Sequence, residues 1–315
     1  MPRNGEVRIR VEASGVNFAD LMGRMGIHPD APPIPYVPGY EVAGTVDKLS
    51  QGVTGLKEGD PVMALTRFGG YSDVVCVPHE QVFIRMAWMD AEDGAALPVN
   101  YLTAYAALII MGSLRSGDRV LIHQAAGGVG LAALDICRIT GAETFGTASL
   151  HKHDTLRGKG LDHAIDYRHE DYERELDDRL RGQGLDLILD PLGGINWKKN
   201  YRLLAPTGRL IHFGTSSMAG GERRSLARLA RGLITLPLYT PLSLMRDNKG
   251  VAGLNLAHLW DQSARVRTWM DQISVWYDEA LFRPTIDRSY FLNQAAEAHT
   301  HLHSRENIGK VLLKP

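Results

Sequence analysis

The chain of 315 residues is poor in cysteine: Cys76 and Cys137 are its only two, far apart and outside any C-x-x-C pair. That excludes a thiol-redox pair and a cysteine-rich zinc site. Both are expected as small buried apolar side chains in a reducing compartment. Charge of one sign is missing too. The formal net charge is -1, so no positive field gathers nucleic acid. No apolar run is long enough to cross a bilayer. The opening MPRNGEVRIRV lacks the apolar stretch of a signal peptide, which points to a cytoplasmic protein. No G-x-S-x-G supports a serine hydrolase, and no repeat recurs at solenoid periods. What remains is ordinary for a globular chain, with 44% hydrophobic and 23% charged residues.

Texture divides the sequence. From Glu6–Val16 to about Pro98, short β-like runs (EVRIRVEASGV, YEVAGTVDKL, DPVMAL, GYSDVVCVP, QVFIRM) are separated by glycine and proline, which predicts a β-rich domain. After Pro98, strand-like and helical runs alternate: RVLIH, LAALDICRITG, ETFGTAS, HKHDTLRGKG, HAIDYR, DYERELDDRLRG, DLILD, NWKKNYRLLAP, RLIHFGT. Such alternation predicts an α/β fold with a doubly wound parallel sheet. A helical pattern from Asn255 to Ala280 carries Trp260, Trp269 and Trp276, and the tail reads strand, helix, strand. The segment Arg223–Met245 is basic and then apolar, broken by Pro237 and Pro241. A packed lid or a subunit-contact helix is favoured there over a membrane-surface helix. His299, His301 and His303 have no acidic or cysteine partner in metal spacing and are expected to be solvated.

Leu121–Asp135 reads LIHQAAGGVGLAALD. Ala125, Gly127 and Gly130 stand at the spacing of G-x-G-x-x-G, with alanine first, between a strand and a helix start. A side chain at Gly127 or Gly128 would hold the backbone away from a pyrophosphate, and Gly130 lets helix and strand pack closely. The next strand ends TFGTASLHKH without the acid that would hold a ribose 2′-hydroxyl. Ser149 and Lys152 take its place, and an ammonium attracts the 2′-phosphate that a carboxylate would repel. The expected cofactor is therefore NADP(H).

The stretches ASGVNFADLMGR, PGYEVAGTV, LPVNYLTAY, HQAAGGVGLAALDICRITGA, FGTASLHKH, DYRHED, LDPLGG, LLAPTGRLIHFGTSS and SRENIGKVLL resemble the zinc-independent quinone oxidoreductase type of the medium-chain dehydrogenase/reductase superfamily. The chain is most similar to the branch named after the synaptic-vesicle membrane protein homologue, with which it shares RRSLARLARGLITLPLYTPLSLMRDNKGVAGLNL. The resemblance implies a GroES-like substrate domain from residues 1–98 and 283–315. A Rossmann domain over 99–282 would lie between them, with a family insertion near 220–255. Met1 would fall inside the first domain, after the strand pair with which relatives open. Zinc ligands of related enzymes would fall at Asn17, at Tyr40 beside Glu41, and at Asn100, which are poor ligands. The four-cysteine lobe is also lacking, so no metal is expected.

Without a Lewis acid, a quinone or another conjugated carbonyl is an easier acceptor than a simple ketone, because its product anion is delocalised. The resemblance implies Asn17 near nicotinamide and substrate, its amide bonding an acceptor oxygen, and Thr103 at the carboxamide. Gly127, Gly128, Val129 and Gly130 would line the pyrophosphate. Ser149, Lys152, Tyr167 and Arg305 would surround the 2′-phosphate. Phe213, Gly214, Thr215, Ser216 and Asn255 would face the nicotinamide side. Met22 and His28 stand where some relatives carry aromatics. Tyr40 is a candidate proton donor, solvent another, and a buried structural tyrosine is the competing role. The expected enzyme is an NADPH-dependent reductase and, by family habit, a homodimer. The alternatives are an enoyl or alkenal reductase, or a weakly catalytic NADPH-binding protein acting through a partner or membrane surface.

Overall fold

The computed structural model describes residues 1–217 and 236–315. The chain divides into two compact units, Met1–Leu102 with Leu256–Pro315, and Thr103–Asn255. In chain order the first unit holds β1 (Glu6–Val16), β2 (Glu41–Leu49), β3 (Pro61–Leu65), β4 (Val74–Pro78) and β5 (Val82–Ile84). The second holds β6 (Arg119–Ile122), β7 (Glu143–Ala148), β8 (His163–Asp166), β9 (Leu185–Asp190), β10 (Leu204–His212) and β11 (Gly250–Gly253). The chain then returns to the first with β12 (Ile286–Phe291) and β13 (Lys310–Lys314).

The first unit is a GroES-like sheet in the order β12-β13-β1-β2-β3-β5. β1 is its spine. One edge pairs antiparallel with β2 from Val7↔Leu49 to Ser14↔Val42. The other edge is shared by β4 along Glu6–Arg10 and by β13 along Ser14–Val16. Alternation sets the faces: Val7, Ile9 and Val11 are buried, and Arg10 and Glu12 are exposed. Val7, Ile9, Val11, Val42, Val46, Val62, Val77 and Val82 form one core cluster. Each such side chain contributes roughly 1.5–3 kcal/mol on burial. The same alternation corrects one expectation, since Cys76 is exposed while its neighbour Val77 points inward. Cys137 is buried as expected.

The second unit is a Rossmann sheet, parallel throughout in the order β11-β10-β9-β6-β7-β8. Its strands are apolar runs rather than alternating ones, because helices cover both faces. Leu121, Phe145, Ile165, Ile188 and Leu210 share a core with Tyr172, Leu176 and Leu180 of helix Tyr172–Leu180. The chain winds outward from β6 to β7 and β8, then restarts at β9 on the other side of β6. A switch point therefore lies between β6 and β9, at the strand ends where ligands of such sheets bind.

Three further expectations change. The tryptophan segment is not one helix: Leu256–Gln262 is a 3-10 turn and Ser263–Asp278 an α-helix. Its buried stripe of Val266, Trp269, Met270, Ile273 and Tyr277 belongs to the first unit, so the division falls after Asn255 rather than 282. His299 is buried against Tyr71 and His301 is half-buried against Asp287 of β12, because their helix, Ala295–Ser304, is covered on two different sides. Within Arg223–Met245, residues up to 235 lie outside the described ones, and helix Pro241–Asp247 buries none of its residues. Among the described residues no helix is long and apolar enough to cross a membrane.

Candidate functional site

In the second unit the loop after β6 is pinned before it reaches the glycines. His123 is fully buried, with Nε2 2.9 Å from Asn200 Oδ1 and Nδ1 3.0 Å from the Thr147 hydroxyl. An amide oxygen only accepts, so Nε2 carries the proton and Nδ1 accepts from Thr147. Burial holds this imidazole below its usual range and keeps it neutral. Gln124 then takes a left-handed turn (φ 53°), and Ala125 N–H donates to Thr147 O at 3.1 Å. The methyl of Ala125 faces Gly146 of β7, where a side chain would leave it no room. Alanine at the first motif position is thus matched by a glycine on β7.

Gly127 precedes helix Gly128–Thr140, whose N-terminus no side chain caps. Its amides point past Gly127 with the positive end of the helix behind them. A methyl built on Gly130 would collide with Gln124 O and lie 2.7 Å from Ala125 O. That glycine lets the helix pack closely on the loop, and the uncapped amides of the first turn make a cradle that fits a dinucleotide phosphate. Val129 is half-buried on the same first turn.

Around the cradle the strand ends supply side chains. Ser149 and Lys152 are buried just past β7, and Tyr167, after β8, lies 3.5 Å from the Ser149 hydroxyl. On the other side of β6, Phe213 N–H donates to Asp190 O at 3.1 Å, and Ser216 N–H to Pro191 O at 2.9 Å. Gly214 is so close to Pro191 that an added Cβ would lie 2.9 Å from its carbonyl oxygen. The Gln124 amide donates to the Ser216 hydroxyl at 2.8 Å, tying the Phe213–Ser216 loop, Thr215 included, to the glycine loop. Thr103 is buried in helix Pro98–Tyr105, and Asn255 is exposed just past β11. A recess lined by Gly117, Gly141, Ala142, Glu143, Asp162 and His163 opens at the opposite, amino-terminal ends of the strands, away from the side where such sheets bind nucleotides.

In the first unit Asn17 stands at a different kind of centre. Its amide N–H donates to Glu41 Oε1 at 3.0 Å, and its Oδ1 accepts from Lys310 Nζ at 2.7 Å. Lys310 also bonds Glu41 Oε1, and Val99 N–H donates to Glu41 Oε2 at 2.6 Å. Glu41 and Lys310 are buried. The amide is thus oriented at both ends. A side chain at Gly15 would collide with Glu41 Oε1 and lie 2.6 Å from Lys310 Cε, so the cluster requires that glycine. The donors do not suit zinc. Asn17 gives an amide oxygen already occupied by an ammonium, Asn100 is turned to Ala96 O at 3.2 Å, and Tyr40 is a phenol. A second cation at Glu41 would face the fixed charge of Lys310.

Two tyrosine–histidine pairs flank this cluster in the same unit. The buried Asp20 carboxylate accepts from Gly39 N–H (2.9 Å), Asn17 N–H (2.8 Å) and the Tyr71 hydroxyl (3.0 Å). Burial nevertheless raises its pKa to about 6. Tyr71 is 3.1 Å from His299 Nε2, and burial lowers the pKa of His299 to about 4. The second pair is Tyr40 with His28, hydroxyl to Nε2 at 3.3 Å. Tyr40 packs on Phe68 at 5.2 Å between ring centroids, and Phe68 on Tyr36 at 5.5 Å, edge to face. Arg305 ends helix Ala295–Ser304 in a left-handed turn (φ 59°) and belongs to the first unit. Met22 lies on helix Phe18–Arg24.

Sequence reasoning passed over Lys310, Asp20, Tyr71, Tyr36 and Phe68. For Lys310 a signal existed: a lone lysine inside the apolar run IGKVLL needs a buried partner.

Residues 159–313 match a family described as zinc-binding dehydrogenase, and residues 3–86 one described as alcohol dehydrogenase GroES-like domain. The rat synaptic vesicle membrane protein VAT-1 homolog is 41% identical over 315 residues, covering 100% of this chain and 78% of that protein. A quinone oxidoreductase from Pseudomonas syringae has a TM-score of 0.86 at 28% identity, covering 100% of this chain and 93% of that one. A mycobacterial protein solved in complex with NADPH has a TM-score of 0.87 at 25% identity, with the same coverage.

Proposed function

The chain belongs to the medium-chain dehydrogenase/reductase superfamily of oxidoreductases, and on that premise we propose that it is an NADPH-dependent reductase of quinones or other conjugated carbonyls, working without zinc. The bound nicotinamide supplies the hydride. The protein's share is position and polarity. The cradle at Gly127–Gly130 holds the pyrophosphate on backbone amides. Phe213, Gly214, Thr215 and Ser216, fixed through Gln124, and Thr103 and Asn255 form the nicotinamide side. Asn17, its amide set by Glu41 and Lys310, lies beside the acceptor oxygen. The rings of Tyr36, Tyr40 and Phe68 suit a flat conjugated acceptor.

The observation that carries the coenzyme choice is the end of β7. A buried serine and a buried lysine follow it, and the first acid after them, Asp154, is exposed. Ser149, Lys152 and Tyr167 hold the 2′-phosphate. The unpaired cysteines accord with a cytoplasmic setting, and a homodimer is the working assembly.

The test is direct. The purified chain is mixed with NADPH or NADH and a panel of benzoquinones, 2-alkenals and no acceptor, and loss of the reduced-coenzyme absorbance is followed. Acceptor-dependent oxidation of NADPH in preference to NADH is expected. Preference for NADH removes the 2′-phosphate assignment. Tight NADPH binding with no turnover across the panel supports a binding protein instead.

A further inference from the structure

We propose that Tyr40 donates the proton that completes the reduction, and that His28 is the positioning residue that leaves this proton free to be given. The inference rests on the reductase reading above. Its geometry lies wholly within the first unit.

The tautomer follows from the neighbours. Asp30 N–H, which can only donate, lies 3.2 Å from His28 Nδ1. Nδ1 therefore offers its lone pair, and a neutral imidazole has its one proton on Nε2. Nε2 faces the Tyr40 hydroxyl at 3.3 Å and must be the donor there. The Tyr40 oxygen accepts, so its own proton is not spent on His28. Burial keeps His28 below its usual range and hence neutral, against the opposing pull of the Asp30 carboxylate, which His258 Nε2 holds at 2.9 Å.

Tyr71 is the built-in contrast. It too faces a histidine Nε2, but its hydroxyl proton goes to Asp20 at 3.0 Å. Lys310 is committed to Asn17 and Glu41 and is buried. Tyr40 is half-buried, and burial together with Asp20 pushes its pKa up. It therefore stays protonated through neutral pH, as a proton donor must.

The step balances. Once hydride has formed a C–H bond on the conjugated acceptor, the displaced electron pair rests on the acceptor's oxygen and α-carbon. The Tyr40 O–H bond breaks as that anion takes the proton. The phenolate accepts the Nε2–H bond of His28 and regains a proton from water. General acid catalysis of this kind is worth about 10²–10⁴-fold. An enolate is a stronger base than a hydroquinone anion, so it leans more on the donor.

The first test needs no turnover. Nitrogen-15 NMR of histidine-labelled protein, with His28 assigned by its loss in His28→Gln, is expected to give a neutral Nε2–H tautomer. An Nδ1–H tautomer would mean that Tyr40 spends its proton on His28 and overturns the proposal. The second test compares Tyr40→Phe with the wild type. NADPH affinity should be unchanged, and turnover should fall about 100-fold with a 2-alkenal and less with a benzoquinone. His28→Leu should lose part of the same activity, and His28→Gln, which can accept from Asp30 and donate to Tyr40, should restore it. Full activity of Tyr40→Phe with both acceptors removes the donor role and leaves the reductase reading standing. A wild type that turns over neither acceptor removes that reading itself and the donor role with it.

Discussion

Around Gly127–Gly130 the polar groups aimed at a ligand are backbone amides, and the conformation that aims them depends on side chains being absent. Around Asn17 the polar groups are side chains delivered from residues 17, 41 and 310, and the surrounding backbone merely makes room. The two regions should therefore fail differently. A backbone cradle is broken by adding an atom. A side-chain cluster is broken by removing a charge.

The largest effect should follow removal of a charge. Lys310→Met leaves Glu41 buried without its cation, at a cost of about 3–5 kcal/mol. The double variant with Glu41→Gln should recover most of it. Urea denaturation measures both, and a loss below about 1 kcal/mol for the single variant would mean that the ion pair does not hold the cluster together.

A second electrostatic test uses pH. Asp20, raised to about 6 from 3.8, contributes stability that is whole below pH 3.8 and lost as pH rises through 6. His299, lowered to about 4 from 6.5, contributes stability present above pH 6.5 and lost as pH falls through 4. Each is worth about 3 kcal/mol, and between pH 4 and 6.5 the two oppose each other. Asp20→Asn should unmask the histidine, so that unfolding free energy drops by about 3 kcal/mol from pH 7 to 4. The wild type should stay nearly flat with respect to this pair.

Adding an atom is the sharper test of the other region. Gly130→Ala should cost about 1–3 kcal/mol by overpacking and abolish NADPH binding, read by fluorescence titration. Gly15→Ala, the matching insertion in the first unit, should lower acceptor turnover while NADPH still binds. Loss of coenzyme binding in both variants would erase the distinction. The smallest effect is expected from Lys152→Ala. NADPH affinity should weaken about tenfold while NADH affinity is unchanged, through loss of one charge-assisted contact.

The same contrast explains what could be read from the residues alone. The cradle is a contiguous strand–loop–helix string, so its glycines, the serine and lysine after β7, and the parallel sheet were all legible. Fold class followed from alternation, because strand and helix periods are local properties. The charged cluster was half legible. Asn17 and Tyr40 came from motif positions, but Lys310 meets Asn17 only because β13 pairs with β1, and that pairing has no local signal. The histidines of AHTHLHS were misjudged for a related reason. Helical spacing places them on the chain but does not say which face is covered, and Tyr71, which covers His299, lies far away in sequence. Cys76 was misjudged by the reverse inference, since residue type was read as burial where the pleat decides.

The bond from Lys310 to Asn17 and Glu41 also orders events in time. Residues 103–255 are synthesised between its partners and form a unit of their own. While the ribosome is still making residues 256–315, the nucleotide cradle can already close. Glu41 must wait for its cation, and the β1 edge for β13. Until then the nascent first unit carries an unneutralised carboxylate beside an open sheet edge, the kind of surface on which holdase chaperones act. Maturation of this protein should be limited by the return of its distant C-terminal segment rather than by the glycine loop.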